Sequence, residues 1–183
     1  MKKVVVFLAD GFEEVEAITP IDVLRRVDIK VTSVSISNTK EVTGSHNITI
    51  IADQLLKDTD FSAFDAAILP GGMPGTLNLN DNDQLKKIIL DFDKDNKVIG
   101  AICAAPLILG ELGLLKNKKA VCYPGFEKHL TGASIEKTPV AKDHNYITGN
   151  GIGAAMLFSL NLVNELCGTE TADELARTMM VHK

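Results

Sequence analysis

Val98-Ile99-Gly100-Ala101-Ile102-Cys103-Ala104-Ala105-Pro106 is an apolar run that stops at a cysteine and enters a proline-opened segment. The stretch before Cys103 has no polar alternation, which predicts a strand buried on both faces. Proline suits the first turn of a helix, so a helix is predicted from Pro106 to Leu115. Cys103 then falls on the tight turn between strand end and helix start. There the unpaired backbone N–H groups and the helix dipole favour the thiolate, the nucleophilic form. A cysteine inside a strand reads as core filler. One at this corner, followed by small Ala104 and Ala105, reads as a nucleophile, with the Ala104 N–H facing an oxyanion.

Outward from this elbow, strands and helices alternate. Val4-Val5-Val6-Phe7-Leu8 predicts a buried strand, Glu13 to Val27 a helix interrupted at Pro20, and Lys30 to Ile36 a second strand. Glu41 to Ile51 predicts a hairpin turning near Gly44-Ser45 or His46-Asn47. Ala66-Ala67-Ile68-Leu69 predicts a buried strand closed by Pro70-Gly71-Gly72, and Asp81 to Phe92 an amphipathic helix with Leu85, Ile88, Ile89 and Phe92 on one face. A strand over Ala120-Val121-Cys122-Tyr123, two weaker strands between Ser134 and Thr148, and helices over Gly153–Cys167 and Ala172–Val181 complete the chain. The alternation implies an α/β fold, a mostly parallel sheet with helices on both faces. The working site of such a sheet lies at the carboxyl ends of its strands, where the turns Asp10-Gly11, Pro70-Gly71-Gly72 and Cys103 converge.

A chain of 183 residues suits one domain, 1–183, able to bury its own core. A formal net charge of −5, without a basic stripe, argues against nucleic acid. No run is long enough to predict a membrane span, and Met1-Lys2-Lys3 followed by a short strand does not read as a signal peptide. Cys103, Cys122 and Cys167 make an odd count without CxxC spacing. Neither a disulfide framework nor a zinc site is expected, and a cytoplasmic location is. Cys122 is expected to point away from the pocket, and Cys167 to end a helix before a capping Gly168.

The other candidates are polar groups near the same turns. Gly71 and Gly72 end their strand without side chains, which lets backbone N–H groups approach a substrate oxygen. Glu13 and Glu14 read as solvated partners of a helix dipole. Glu16 differs, because Pro20 lacks the N–H that would bond its carbonyl, so the helix is expected to break there and free the carboxyl to enter the pocket. Enclosure raises a carboxyl's pKa and suits it to proton transfer with the thiol. His46, His129, His144 and His182 read as surface residues, with His46, on the hairpin, held as an auxiliary.

Phe7-Leu8-Ala9-Asp10-Gly11-Phe12-Glu13-Glu14-Val15-Glu16, Ile68-Leu69-Pro70-Gly71-Gly72 and Ala101-Ile102-Cys103-Ala104-Ala105-Pro106 together resemble the DJ-1/ThiJ/PfpI superfamily. The likeness continues through Asn150-Gly151-Ile152-Gly153 and the final helices, and so covers essentially the whole chain. It implies a flavodoxin-like three-layer sandwich, related to class I glutamine amidotransferases, and a homodimer covering Val15 and Ile18. It maps the elbow nucleophile onto Cys103, its acidic partner onto Glu16, and the oxyanion-side glycines onto Gly71 and Gly72. Ala104 stands where protease-like and chaperone-like branches have histidine. Ala101 and Ala105 stand where amidotransferases have glycine. Tyr123-Pro124 replaces a histidine–proline pair. A phenol is no general base at neutral pH but still donates a hydrogen bond.

The expected function is a cofactor-independent, metal-free glyoxalase or deglycase acting on small α-oxoaldehydes or their protein adducts. Cys103 is the nucleophile, Glu16 moves the proton, Gly71, Gly72 and Ala104 form the oxyanion side, and Tyr123 or His46 of the partner subunit assists. The alternative is a redox-sensing or stress-protective protein whose Cys103 oxidises to sulfinate without significant turnover.

Overall fold

Strand β1 (Lys3–Leu8) shows why the fold is layered. Val4, Val6 and Leu8 enter one hydrophobic cluster and Val5 and Phe7 the other, all fully buried. Alternate side chains leave opposite faces of a strand, so an unbroken apolar strand needs cover on both sides. Helices α1 (Glu14–Arg25), α5 (Ala155–Cys167) and α6 (Thr169–Thr178) supply one layer. Helices α3 (Asp83–Lys94) and α4 (Pro106–Glu111) supply the other.

The computed structural model describes residues 1–181; His182, read as a surface residue, lies outside them. The main sheet runs in the order β10-β11-β7-β6-β1-β2-β5. Its further strands are β2 (Lys30–Ser35), β5 (Gln54–Leu55), β6 (Ala66–Leu69), β7 (Val98–Ile102), β10 (Val140–Asp143) and β11 (Tyr146–Gly149). All its pairings are parallel except β10 with β11. The α/β sandwich is therefore as expected. The order reverses between β1 and β6, so the crevice for a ligand opens beyond Leu8 and Leu69, beside the end of β7 at Ile102. The expected hairpin is β3 (Glu41–Thr43) and β4 (Thr49–Ile51), turning through residues 44–48.

Several boundaries differ from expectation. Helix α1 is not interrupted at Pro20: it runs through, and only the bond to the Glu16 carbonyl is forgone. Helix α4 stops at Glu111 rather than Leu115 because turns follow, with Gly113 at φ +73°. A short helix, α2 (Gly75–Asn80), precedes α3, whose start is fixed at Asn82: its Oδ1 accepts from the Leu85 N–H at 2.9 Å. The buried face of α3 is the expected Leu85, Ile88, Ile89 and Phe92.

The strand expected over Ala120–Tyr123 shrinks to β8 (Lys119–Ala120), paired with β9 (Ser134–Ile135) outside the main sheet. Beyond Ala120 the backbone instead crosses the carboxyl ends. Val121 N–H donates to Thr148 Oγ1 at 2.9 Å and Tyr123 N–H to the Cys103 carbonyl at 2.7 Å. Three strands, not two, lie between Ser134 and Gly149, and β11 is fully buried. A 3-10 turn, Ile152–Ala154, replaces the first residues expected for α5, and α6 begins three residues early, directly after Gly168 at φ +91°. Among the described residues no helix is long and apolar enough to cross a membrane.

Candidate active site

Cys103 occupies the left-handed region, at φ +64°. That conformation costs a residue with a Cβ roughly 1–2 kcal/mol, so the surroundings must hold it. Its N–H donates to the Gly149 carbonyl at 2.9 Å, and its carbonyl accepts from Tyr123. The elbow is thus clamped on both sides of Cys103, which leaves the half-buried thiol above the ends of the strands.

Glu16 reaches the thiol because of its helical position rather than a broken helix. Glu16, Pro20, Val23 and Leu24 are all on the buried stripe of α1. Glu16 is the first-turn member, where the helix overhangs the sheet's carboxyl edge. The side chain has no exposure to solvent. Its Oε2 accepts from the Gly71 N–H at 3.0 Å. Oε1 has no partner of regular hydrogen-bond geometry, and the carboxyl's other polar contact is the Cys103 thiol.

Gly71 and Gly72 have separate tasks. A Cβ on Gly71 would lie 2.6 Å from both Cys103 Cβ and Glu16 Oε2. Gly71 is therefore the gap through which carboxyl and thiol meet, and its N–H is taken by Glu16 instead of facing a substrate. Gly72, at φ +92°, has no room for a side chain either: a Cβ would meet the Glu13 nitrogen at 2.3 Å. The Gly72 and Ala104 N–H groups are the ones that favour a charge on the sulfur. The Glu13 N–H donates to the Gly71 carbonyl at 2.9 Å, which ties the loop after β1 to the loop after β6.

The electrostatics depart from one expectation. Burial, then the charge of Glu16 and the hydrogen bond to it, push the Cys103 thiol up to about 12, against the Ala104 and Gly72 N–H groups. The N–H groups at the elbow lower it, but burial and the neighbouring carboxylate outweigh them. Burial also pushes Glu16 up to about 7, against the hydrogen bonds from Cys103 and Gly71, with Glu13 adding repulsion. The two groups act as one unit that carries a single negative charge near neutrality. The sulfur is met by two N–H groups and the carboxylate by one.

Tyr123 is half exposed beside Cys103, with its ring near Gly151 and edge-on to Phe126. Cys122 is buried in the hydrophobic cluster that α3 and α4 cover. His46 is not part of this cluster: its Nδ1 lies 2.9 Å from Glu14 Oε2. Glu14 is not a solvated dipole partner. It is 6% exposed, and its Oε1 accepts from the His46 N–H at 2.7 Å. Burial alone would raise its pKa, but the His46 ring and the His46 and Ile48 N–H groups bring it to about 2. Spacing in the first helix gave no sign of this anchor, because its partners come from the hairpin.

The chain is 41% identical to Protein DJ-1 homolog B of Arabidopsis thaliana, over 98% of this chain and 42% of that one. It thus spans less than half the length of that relative. It is 31% identical to Glutathione-independent glyoxalase DJ-1 of Schizosaccharomyces pombe, over 98% of each. The solved structure of oxidized Toxoplasma gondii DJ-1 superposes with a TM-score of 0.96 at 32% identity, covering 100% of both chains. The sequence model of the DJ-1/PfpI family matches residues 2–165, which takes in β1, the Pro70-Gly71-Gly72 turn and the Cys103 elbow alike. With fold, elbow and sequence in agreement from end to end, this chain belongs to the DJ-1/PfpI family.

Proposed function

We propose that this protein is a glutathione-independent glyoxalase or deglycase acting on small α-oxoaldehydes such as methylglyoxal, or on their adducts with proteins. The observation that carries the reading is the Glu16 carboxyl held against the Cys103 thiol across Gly71, with the Gly72 and Ala104 N–H groups at the sulfur. The Schizosaccharomyces pombe relative, a glyoxalase by name, supports it.

The Glu16 carboxylate takes the Cys103 proton as the sulfur adds to the aldehyde carbon and passes it to the new alkoxide, forming a hemithioacetal. The Glu16 carboxylate then removes the proton from that carbon. The resulting enediol is reprotonated at the neighbouring carbon, leaving a thioester on Cys103. Water hydrolyses the thioester, releasing a 2-hydroxy acid and restoring the thiol. Methylglyoxal plus water gives lactate, with no net oxidation and no cofactor. In this reading the Gly72 and Ala104 N–H groups stabilise the oxyanions, and Tyr123 serves as a hydrogen-bond donor.

The protein functions as a homodimer through the apolar side chains that α1 and the hairpin leave exposed, Val15, Ile18, Ile48 and Ile51. A second reading rests on the same contacts. A protonated Glu16 and two N–H groups would also stabilise a Cys103 sulfinate, making the protein an oxidation sensor.

Lactate formation from methylglyoxal separates the two. The enzyme reading requires turnover by the wild type that falls to a small residual rate in Cys103→Ser, with an acid-quenched adduct mapping to Cys103. Selective oxidation of Cys103 without lactate formation would overturn it in favour of the sensor.

A further inference from the structure

Tyr123-Pro124-Gly125-Phe126 forms a tight turn, closed by the Phe126 N–H donating to the Tyr123 carbonyl at 3.1 Å. Gly125 holds φ +95°, and proline second with glycine third are the residues a type II turn asks for. The turn brings the Phe126 ring back beside that of Tyr123, edge-on, with ring centroids 6.4 Å apart. Aromatic pairs favour this edge-to-face arrangement.

Phe126 is fixed in its turn. The His129 ring lies 6.1 Å from it, tilted by 30°, and His129 Nδ1 lies 2.9 Å from Glu111 Oε1 at the end of α4. Gly110 lets this segment press on α4, since a Cβ there would lie 2.2 Å from the His129 carbonyl oxygen. Helix α4 starts at Pro106, just after the elbow. The aromatic turn is therefore braced on the same element that carries the thiol.

Tyr123 is also tied to the elbow directly. Its N–H donates to the Cys103 carbonyl at 2.7 Å, while the Cys103 N–H donates to the Gly149 carbonyl at 2.9 Å. Its ring lies against Gly151, where a Cβ would stand 3.5 Å from Tyr123 Cδ2. The ring thus reaches from one segment that clamps Cys103 to the loop that follows the other. Held in this way, Tyr123 is still 50% exposed, and Ile152, next to Gly151, is 51% exposed. An aromatic face already fixed beside a nucleophile loses little freedom when a ligand group stacks on it. A methyl group covers little of such a face, whereas a planar ring covers it.

We propose that Tyr123, braced by Phe126, is the specificity-determining residue of the thiol site, and that it selects α-oxoaldehydes whose ketone carries an aromatic group over those whose ketone carries a methyl. The proposal rests on the glyoxalase reading of Cys103 and deepens it. The chemistry is the same internal proton transfer and hydrolysis: phenylglyoxal plus water gives mandelate, with no net oxidation.

The test compares kcat/KM for phenylglyoxal and methylglyoxal, followed as mandelate and lactate formation. The wild type is expected to favour phenylglyoxal about tenfold or more, the size of discrimination an apolar contact supplies. Tyr123→Ala is expected to reduce that preference about tenfold, through a higher KM for phenylglyoxal. Tyr123→Phe keeps the ring and loses only the hydroxyl, so it is expected to retain the preference even where both rates fall. Phe126→Leu is expected to reduce the preference in the same direction, with circular dichroism unchanged. A preference that survives Tyr123→Ala or Phe126→Leu, with methylglyoxal still turned over, overturns the proposal and leaves the glyoxalase reading standing. So does a wild type that favours methylglyoxal. Turnover of neither aldehyde overturns both.

Discussion

The Gly71 N–H donates to Glu16 Oε2 at 3.0 Å, while the Gly71 Cα lies so close to Cys103 that a Cβ would stand 2.6 Å from the Cys103 Cβ. One glycine therefore sets both the direction of the carboxyl and its distance from the thiol. Its missing side chain is as much a part of the site as the groups it separates.

Gly71→Ala tests this. One obstructing atom is the Cβ of a clamped residue, and the other is the end of the Glu16 side chain, which is buried and hydrogen-bonded. We expect a loss of about 1–3 kcal/mol in urea unfolding, as for overpacked cores. The fall in kcat/KM with methylglyoxal is expected to exceed tenfold, because the carboxyl must move. Unchanged kinetics would show that the Gly71 gap does not position the pair.

Glu16 gives a signed pH dependence of stability. Its pKa is about 7 folded against an ordinary 4.5, so between these values the native state holds the proton and the unfolded state does not. Stability is then fully supported below the unfolded value and falls as pH rises through the folded one. The difference is worth about 3 kcal/mol. Gln keeps the shape and cannot ionise. Glu16→Gln should therefore gain on the wild type as pH rises from about 4.5 to about 8, by up to that amount. A pH-independent difference in urea unfolding would contradict the assignment.

The same proton governs activity. The thiol–carboxyl unit loses its first proton near 7, and only the singly charged form both attacks and donates. The kcat/KM for methylglyoxal is expected to rise through about that pH and to remain high above it. In Glu16→Gln the rise should move to more alkaline pH, because the thiol then has to ionise alone in a buried setting. An identical profile in the two proteins would separate Glu16 from the reaction.

The backbone at Cys103 makes a prediction independent of chemistry. At φ +64° a Cβ is strained and glycine is not. Cys103→Gly should be more stable than Cys103→Ala by about 1 kcal/mol. At an ordinary strand or helix position glycine would be the less stable of the two by a similar amount.

The elbow was legible in sequence because three signals coincide at it: an apolar strand, small residues and a helix-opening proline. The sheet was legible for a related reason, since strands buried on both faces, such as Val4–Leu8 and Ala66–Leu69, advertise themselves as unbroken apolar runs. Tyr123 was mistaken for a strand residue because the bonds that hold Val121 and Tyr123, to Thr148 Oγ1 and the Cys103 carbonyl, are long-range. The pKa of Cys103 departs from the expected depression because the depth of burial, the largest cause, is set by packing that the local sequence does not show, and the expected Glu16 carboxyl adds its charge to it. The different tasks of Gly71 and Gly72, and the role of Glu14 as an anchor for the hairpin, also depend on partners far away in the chain.

The central claim is that Cys103 and Glu16 work as one unit, and a double-mutant cycle measures it most directly. The kcat/KM for methylglyoxal is determined for wild type, Cys103→Ser, Glu16→Gln and the double variant. Groups that act together lose their effect once either is gone. The account predicts that the double variant is no slower than Cys103→Ser. Losses that multiply, with the double variant slower than Cys103→Ser by the full factor of Glu16→Gln, would contradict it.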